Sequence, residues 1–281
     1  MTTHGTDTAV PQLELRDGHQ IPQLGFGVFQ VPPEDTVATV TAALEVGYRA
    51  IDTAAAYGNE AQVGEAIAAS GLDRDEVFVT TKLWIDHHGH DAALRALHES
   101  LERLRFDHVD LYLIHWPVPS QDRYVETWEA LCELRSDGRA RSIGVSNFTV
   151  EHLERIVDAT GEVPVLNQIE LHPHLQQEEL RRYHREHGIL TEAWSPLGQG
   201  QGLLDDPKIA ELACTHGRTP AQVVLRWHIQ LGNVVIPKSV TRSRIEENFR
   251  IFDFELSDAE METLRGLDAG RRLGPDPATF G

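Results

Sequence analysis

Asp52, Tyr57, Lys82 and His115 are a carboxylate, a phenol, an ammonium and an imidazole, set at the downstream ends of three successive apolar runs. The runs read "YRAIDTAAAYG", "VFVTTKLW" and "VDLYLIHWP". Brought to one place, these groups could hand a proton to a carbonyl oxygen near neutral pH. Tyr57 is the candidate acid: a free phenol, with a pKa near ~10, donates poorly at pH 7, and an adjacent ammonium lowers that value. Lys82 would supply the ammonium and Asp52 would keep it charged and oriented. His115 would direct the carbonyl oxygen through a hydrogen bond. The chain has three lysines, Lys82, Lys208 and Lys238, and two of them close strand-like runs. Taken singly, each residue has an ordinary structural explanation: packing, helix capping, solvation or a satisfied core histidine. Their joint placement points to chemistry.

Two further groups invite ligands. "NVVIPK" ends in Lys238, and Ser239, Arg242 and Arg244 follow, then Glu247 and Asn248, which together read as an anion pocket on an otherwise acidic chain. Arg242 also fits a surface ion pair at helical spacing with the following glutamates. Ser146-Asn147 in "IGVSNF" and Gln168 in "VLNQIE" offer hydroxyl and amide groups suited to a carboxamide. Trp194 in "TEAWSPLG" offers a flat stacking face. The histidines of "DHHGHD" and "ELHPHLQ" lack the convergent geometry a metal needs and read as solvated loops; no metal is expected.

The elements that must position these residues alternate along the chain. "LELRDGHQIPQLG" carries a hairpin signal at Asp17-Gly18. Strand-like runs follow at 24–28, 49–54, 77–83, 109–115, 141–146, 165–171, 190–195 and 233–237. Helical patterns lie between them, such as "HDAALRALHESLERLRF", and several end in glycine, at Gly47, Gly138 and Gly188. Eight strand–helix units in about 250 residues predict a single (β/α)8 barrel, of the α/β class. The expected domain is 13–281, with an N-terminal hairpin, a C-terminal extra helix and tail, and a frayed start at 1–12. A doubly wound sheet is disfavoured, because no strand leads into a Gly-x-Gly-x-x-Gly turn. In a barrel, strand C-terminal ends share one mouth, so the four opening residues converge.

The 281 residues are 41% apolar, enough for such a core, and the formal net charge is −19. That charge argues against a nucleic-acid partner. Two cysteines in helical patterns fit a reducing compartment, and the absence of a transmembrane-length apolar stretch or signal-peptide pattern leads us to expect a cytoplasmic protein without a membrane partner. A monomer is expected.

Seven segments in order resemble the aldo-keto reductases: "GYRAIDTAAAYGNE", "TTKLW", "LYLIHWP", "SIGVSNF", "NQIELHP", "WSPLG" and "IPKSVTRSRIEENF". Trp194, where vertebrate members generally carry tyrosine, and the tail "GRRLGPDPATF" are most similar to the bacterial diketogluconate reductase-like branch. The resemblance implies a (β/α)8 barrel that uses NADPH/NADP+ to reduce a small-molecule carbonyl substrate. It implies a catalytic tetrad of Asp52, Tyr57, Lys82 and His115. Ser146, Asn147 and Gln168 would bind the nicotinamide carboxamide and Trp194 would stack on the ring. Ser195, Leu197 and Gly198 would lie around the pyrophosphate. Lys238, Ser239, Val240 and Arg244 would surround the 2′-phosphate, with Glu247 and Asn248 near adenine. Val240 replaces a threonine of some relatives. Phe26, Trp84 and Trp116, with His115, would wall the substrate pocket. The loops after strands one and four and the tail beyond Gly270 would set specificity. Two other readings remain open: an NADPH-binding regulatory subunit without catalysis, and a barrel enzyme whose cationic pocket holds a phosphorylated substrate.

Overall fold

The computed structural model describes residues 9–281. Strands β1 (Gln12–Glu14) and β2 (Gln20–Pro22) form an antiparallel hairpin, with Leu13 opposite Ile21. Eight parallel strands follow: β3 (Phe26–Gly27), β4 (Ala50–Asp52), β5 (Phe78–Leu83), β6 (Val109–Ile114), β7 (Ala140–Ser146), β8 (Leu166–Glu170), β9 (Leu190–Trp194) and β10 (Val234–Val235). They pair strictly in sequence order. The seam between first and last is joined by Gly25 N donating to Val235 O at 2.8 Å and Val235 N donating to Gln23 O at 3.0 Å. The expected (β/α)8 barrel is therefore the observed fold.

Strands covered on both faces must be apolar throughout, and every residue of β6 is buried. The helices are amphipathic instead. In α3 (His90–Leu104) the buried positions Ala93, Ala96, Leu97, Ser100, Leu101 and Leu104 recur every three or four residues and face the strands. Helix α2 (Glu60–Ala69) lies so close to α3 that a Cβ on Gly64 would fall 2.0 Å from the Leu104 carbonyl oxygen. Glycine is required there by space. Gly47 and Gly188 end their helices at φ 121° and 67°, and Gly138, at φ 76°, follows the helix Tyr124–Ser136 and its cap Asp137.

The hairpin closes one mouth of the barrel. Leu15 and Ile21 pack with Leu111, Leu113, Val165, Leu166 and Val234 in the interior. Of the expected frayed start, residues 1–8 lie outside the described residues; Pro11 and Gln12 are tied to the hairpin, since Gln23 N donates to Pro11 O and Gln12 pairs with Pro22. The extra helix, Asp258–Arg265, precedes a tail that crosses the open mouth. Among the described residues no helix is long and apolar enough to cross a membrane.

Candidate active site

Parallel pairing puts the strand C-terminal ends on the mouth opposite the hairpin. There the opening residues meet. Lys82, fully buried near the end of β5, donates from Nζ to Asp52 Oδ1 at 2.6 Å and to Thr53 O at 2.9 Å, and its Nζ lies 3.4 Å from the Tyr57 hydroxyl. Tyr57 sits in the 3-10 turn Ala55–Tyr57 after β4, with its ring 5.7 Å from that of His115 and near perpendicular to it. All four come together as expected.

Electrostatics at this floor depend on burial. Burial disfavours charge on Lys82, but Asp52 and then Tyr57 more than offset it and hold the ammonium above its ordinary range. Burial also pushes the Tyr57 phenol up; Lys82 pulls it down, but by less. The sequence-based expectation of a net lowering is thus corrected: Lys82 acts in the expected sense and limits a rise. Burial, then Lys82, drives His115 well below the usual imidazole value, so it is neutral at pH 7. Its Nδ1 is buried without a partner among the described residues.

A cavity of about 1300 Å³ opens above this floor. Its walls include Asp52, Tyr57, Trp84, His115, Trp116, Ser146, Asn147, Gln168, Trp194, Ser195, Leu197, Lys238, Ser239, Arg244, Glu247 and Asn248. Asn147, at φ 63°, donates from Nδ2 to His115 O and Ser146 Oγ and accepts the Trp194 indole N–H at 2.8 Å. Trp194 is thereby tied edge-on to the amide cluster. Ser146 Oγ donates to Gln168 O. Arg242 is paired with Glu45 at 2.7 Å and Glu246 at 3.2 Å, the surface alternative considered for it.

Lys82 lies below the wall, and three of the positions expected to face cofactor or substrate do not line this space either. Phe26 is 1% exposed and turns into the layer between strands and helices, edge-on to Tyr48; Phe29 stands in the cavity instead, 47% exposed and 5.1 Å from the Tyr57 ring. Val240 points to solvent, 53% exposed, and is not part of the wall. Gly198, at φ 69°, turns the loop after β9, and a Cβ there would meet Leu203 at 2.8 Å; Gln199, Gly200 and Gly202 form the wall.

The tail beyond Gly270, expected to bear on specificity, does reach this space. Leu273, Gly274, Pro275 and Phe280 of the tail close one side, with Phe280 on Trp116 at 4.4 Å between ring centres. Glu170, fully buried, accepts the N–H groups of Leu273 at 2.6 Å and Gly274 at 2.9 Å and latches the tail. Burial opposes its charge, yet His172 and those two N–H groups hold its carboxyl below the ordinary value. Glu192 lies beneath the tetrad; an acid inside the run "ILTEAW" was the one visible hint of it.

The aldo/keto reductase family model matches residues 23–269. An aldo-keto reductase of Mycobacterium sp. (strain KMS) is 59% identical over 270 residues, covering 96% of this chain and 98% of that protein. The methylglyoxal reductase DkgA of Escherichia coli (strain K12) is 52% identical over the same length, with the same coverage. Among solved structures, a mutant of Gox0644 in complex with NADPH superposes with a TM-score of 0.93 at 51% identity, covering 97% of this chain and 99% of that one. This chain belongs to the aldo/keto reductase family.

Proposed function

We propose that the protein is an NADPH-dependent carbonyl reductase, with Tyr57 as the acid that protonates the substrate oxygen. The observation that carries this reading is the 3.4 Å approach of Lys82 Nζ to the Tyr57 hydroxyl, beside a cavity large enough for a dinucleotide and a small substrate. The donor set suits NADPH. Lys238 and Arg244 offer cationic groups for a 2′-phosphate, while Ser146, Asn147 and Gln168 offer amide and hydroxyl groups for a carboxamide. When bound, NADPH supplies the hydride.

The chain's own residues orient and protonate. His115, neutral at pH 7, would donate its ring N–H to the carbonyl oxygen and fix its direction. Tyr57 gives its proton to that oxygen, and Lys82, held by Asp52, stabilises the phenolate left behind. Phe29, Trp84, Trp116 and Phe280 make the substrate end aromatic and exclude water. None of these four carries charge, so small uncharged aldehydes and ketones fit better than carboxylate-bearing ones; methylglyoxal, in the name of the E. coli relative, is one to try. Intact proton-donating residues favour this over a non-catalytic NADPH-binding subunit. The test is NADPH consumption with a panel of small aldehydes, ketones and keto acids: saturable turnover supports the reading, and tight NADPH binding without turnover on any of them overturns it.

A further inference from the structure

One acidic residue of the barrel interior has no part in the proton donation above. Glu192, on β9, is 2% exposed, and its register partner on β8 is Gln168. Gln168 Nε2 donates to Glu192 Oε2 at 2.7 Å and to Asp52 Oδ2 at 2.8 Å. An amide nitrogen has two protons, and both are spent on carboxyl oxygens. With the amide turned over, its oxygen would face Asp52 acceptor to acceptor, so the orientation is locked. The carbonyl oxygen of Gln168 is left without a hydrogen bond from any other described residue, in a side chain that lines the cavity.

We propose that Glu192 is a positioning residue for the cofactor: with Asp52 it clamps Gln168 from beneath, so that the amide oxygen is presented to a carboxamide N–H. This rests on the NADPH reading above. The titratable groups facing Glu192 are Asp52 from β4, Lys82 from β5 and Tyr57 from the loop after β4. Lys82 and Asp52 balance each other, so an ionised Glu192 adds an uncompensated interior charge. Burial, then Asp52, pushes its carboxyl up to about 8. Below that pH Glu192 is neutral. Above it, the new negative charge raises the Tyr57 phenol further and weakens it as a donor.

Two variants separate the roles. Glu192→Gln keeps an acceptor oxygen and cannot ionise; Glu192→Leu has no acceptor. Fluorescence titration should give Glu192→Gln an NADPH dissociation constant near that of wild type, and Glu192→Leu one weakened roughly three- to tenfold, for NADPH and NADH alike. Carbonyl reduction by wild type should fall as pH rises through about 8, and Glu192→Gln should lose that limb. In cofactor-free protein, the infrared C=O band of a protonated carboxyl should fade over the same interval and be missing from Glu192→Gln. The inference is overturned if wild type binds NADPH and Glu192→Leu binds it within about twofold as well, or if the pH limb and infrared band survive in Glu192→Gln. Failure of wild type to bind NADPH at all would instead overturn the functional reading, and this inference with it.

Discussion

Replacing Lys82 with methionine separates the ion pair's role in folding from its role in chemistry. Lys82 has no exposed surface, and the Asp52 side chain 2.6 Å away is 5% exposed. Methionine fills most of the lysine volume but strips Asp52 Oδ1 of its charged partner, leaving the carboxylate only the Gln168 amide on Oδ2. Breaking one partner of a buried pair costs about 3–5 kcal/mol, because the other charge stays in the interior. For a chain of 281 residues that corresponds to a melting temperature lower by roughly 5–8 °C. Removing both charges is different: the double variant Asp52→Asn with Lys82→Met has no stranded ion and should recover most of the loss. Turnover should not recover, since Tyr57 lacks its ammonium in both proteins, and a fall of about 10²–10⁴-fold is expected in each. Thermal melts and steady-state NADPH oxidation on the wild type, both singles and the double decide the matter. The reasoning is refuted if Lys82→Met melts with wild type, or if the double variant loses the sum of the two single effects.

Other expectations are briefer. Arg244→Ala should weaken NADPH roughly 10- to 100-fold and leave NADH nearly unchanged, because NADPH alone carries the 2′-phosphate; equal losses by titration would contradict the pocket assigned to it. Glu170→Gln puts an amide N–H against one of the two tail N–H groups it now accepts, so the carbonyl KM should rise several-fold while the NADPH dissociation constant holds; the reverse split would remove the latch. Gly64→Ala forces α2 away from the Leu104 carbonyl, and its melt should show a cost of about 1–3 kcal/mol despite alanine's better helix propensity. Glu192 holds a proton that the unfolded chain releases near the ordinary 4.5, so its contribution to stability is full below that pH and is lost as pH rises to about 8. Chemical denaturation should therefore show Glu192→Gln gaining on wild type across that interval, and a constant difference would refute it.

The sequence displays the barrel because buried parallel strands need uninterrupted apolar runs; seven of the eight runs contain their strand whole, and the run at 141–146 misses only Ala140. Asp52, Lys82 and His115 were legible for the same reason: each polar residue ends such a run, and topology brings run ends together. Phe26 was misplaced because β3 is two residues long, too short for alternation to reveal which face an aromatic side chain takes. Val240 occupies a motif position whose side chain faces solvent, which motif order does not encode. The Glu192–Gln168–Asp52 bridge spans three strands distant in sequence, and the tail that brings Phe280 onto Trp116 has no periodicity to read. Both depend on closure of the barrel and on the Glu170 latch. The pull of Lys82 on Tyr57 follows from charge, whereas the net direction follows from how deeply the phenol is buried.

The most direct test of the central claim is Tyr57→Phe, which removes one oxygen from a ring that otherwise keeps its packing against Phe29 and His115. Single-turnover reduction of a small aldehyde, followed at saturating NADPH, isolates the chemical step. With Tyr57 as the proton donor, NADPH titrates as in wild type and the rate falls about 10²–10⁴-fold. A rate within about threefold of wild type, with NADPH equally bound, would contradict that assignment.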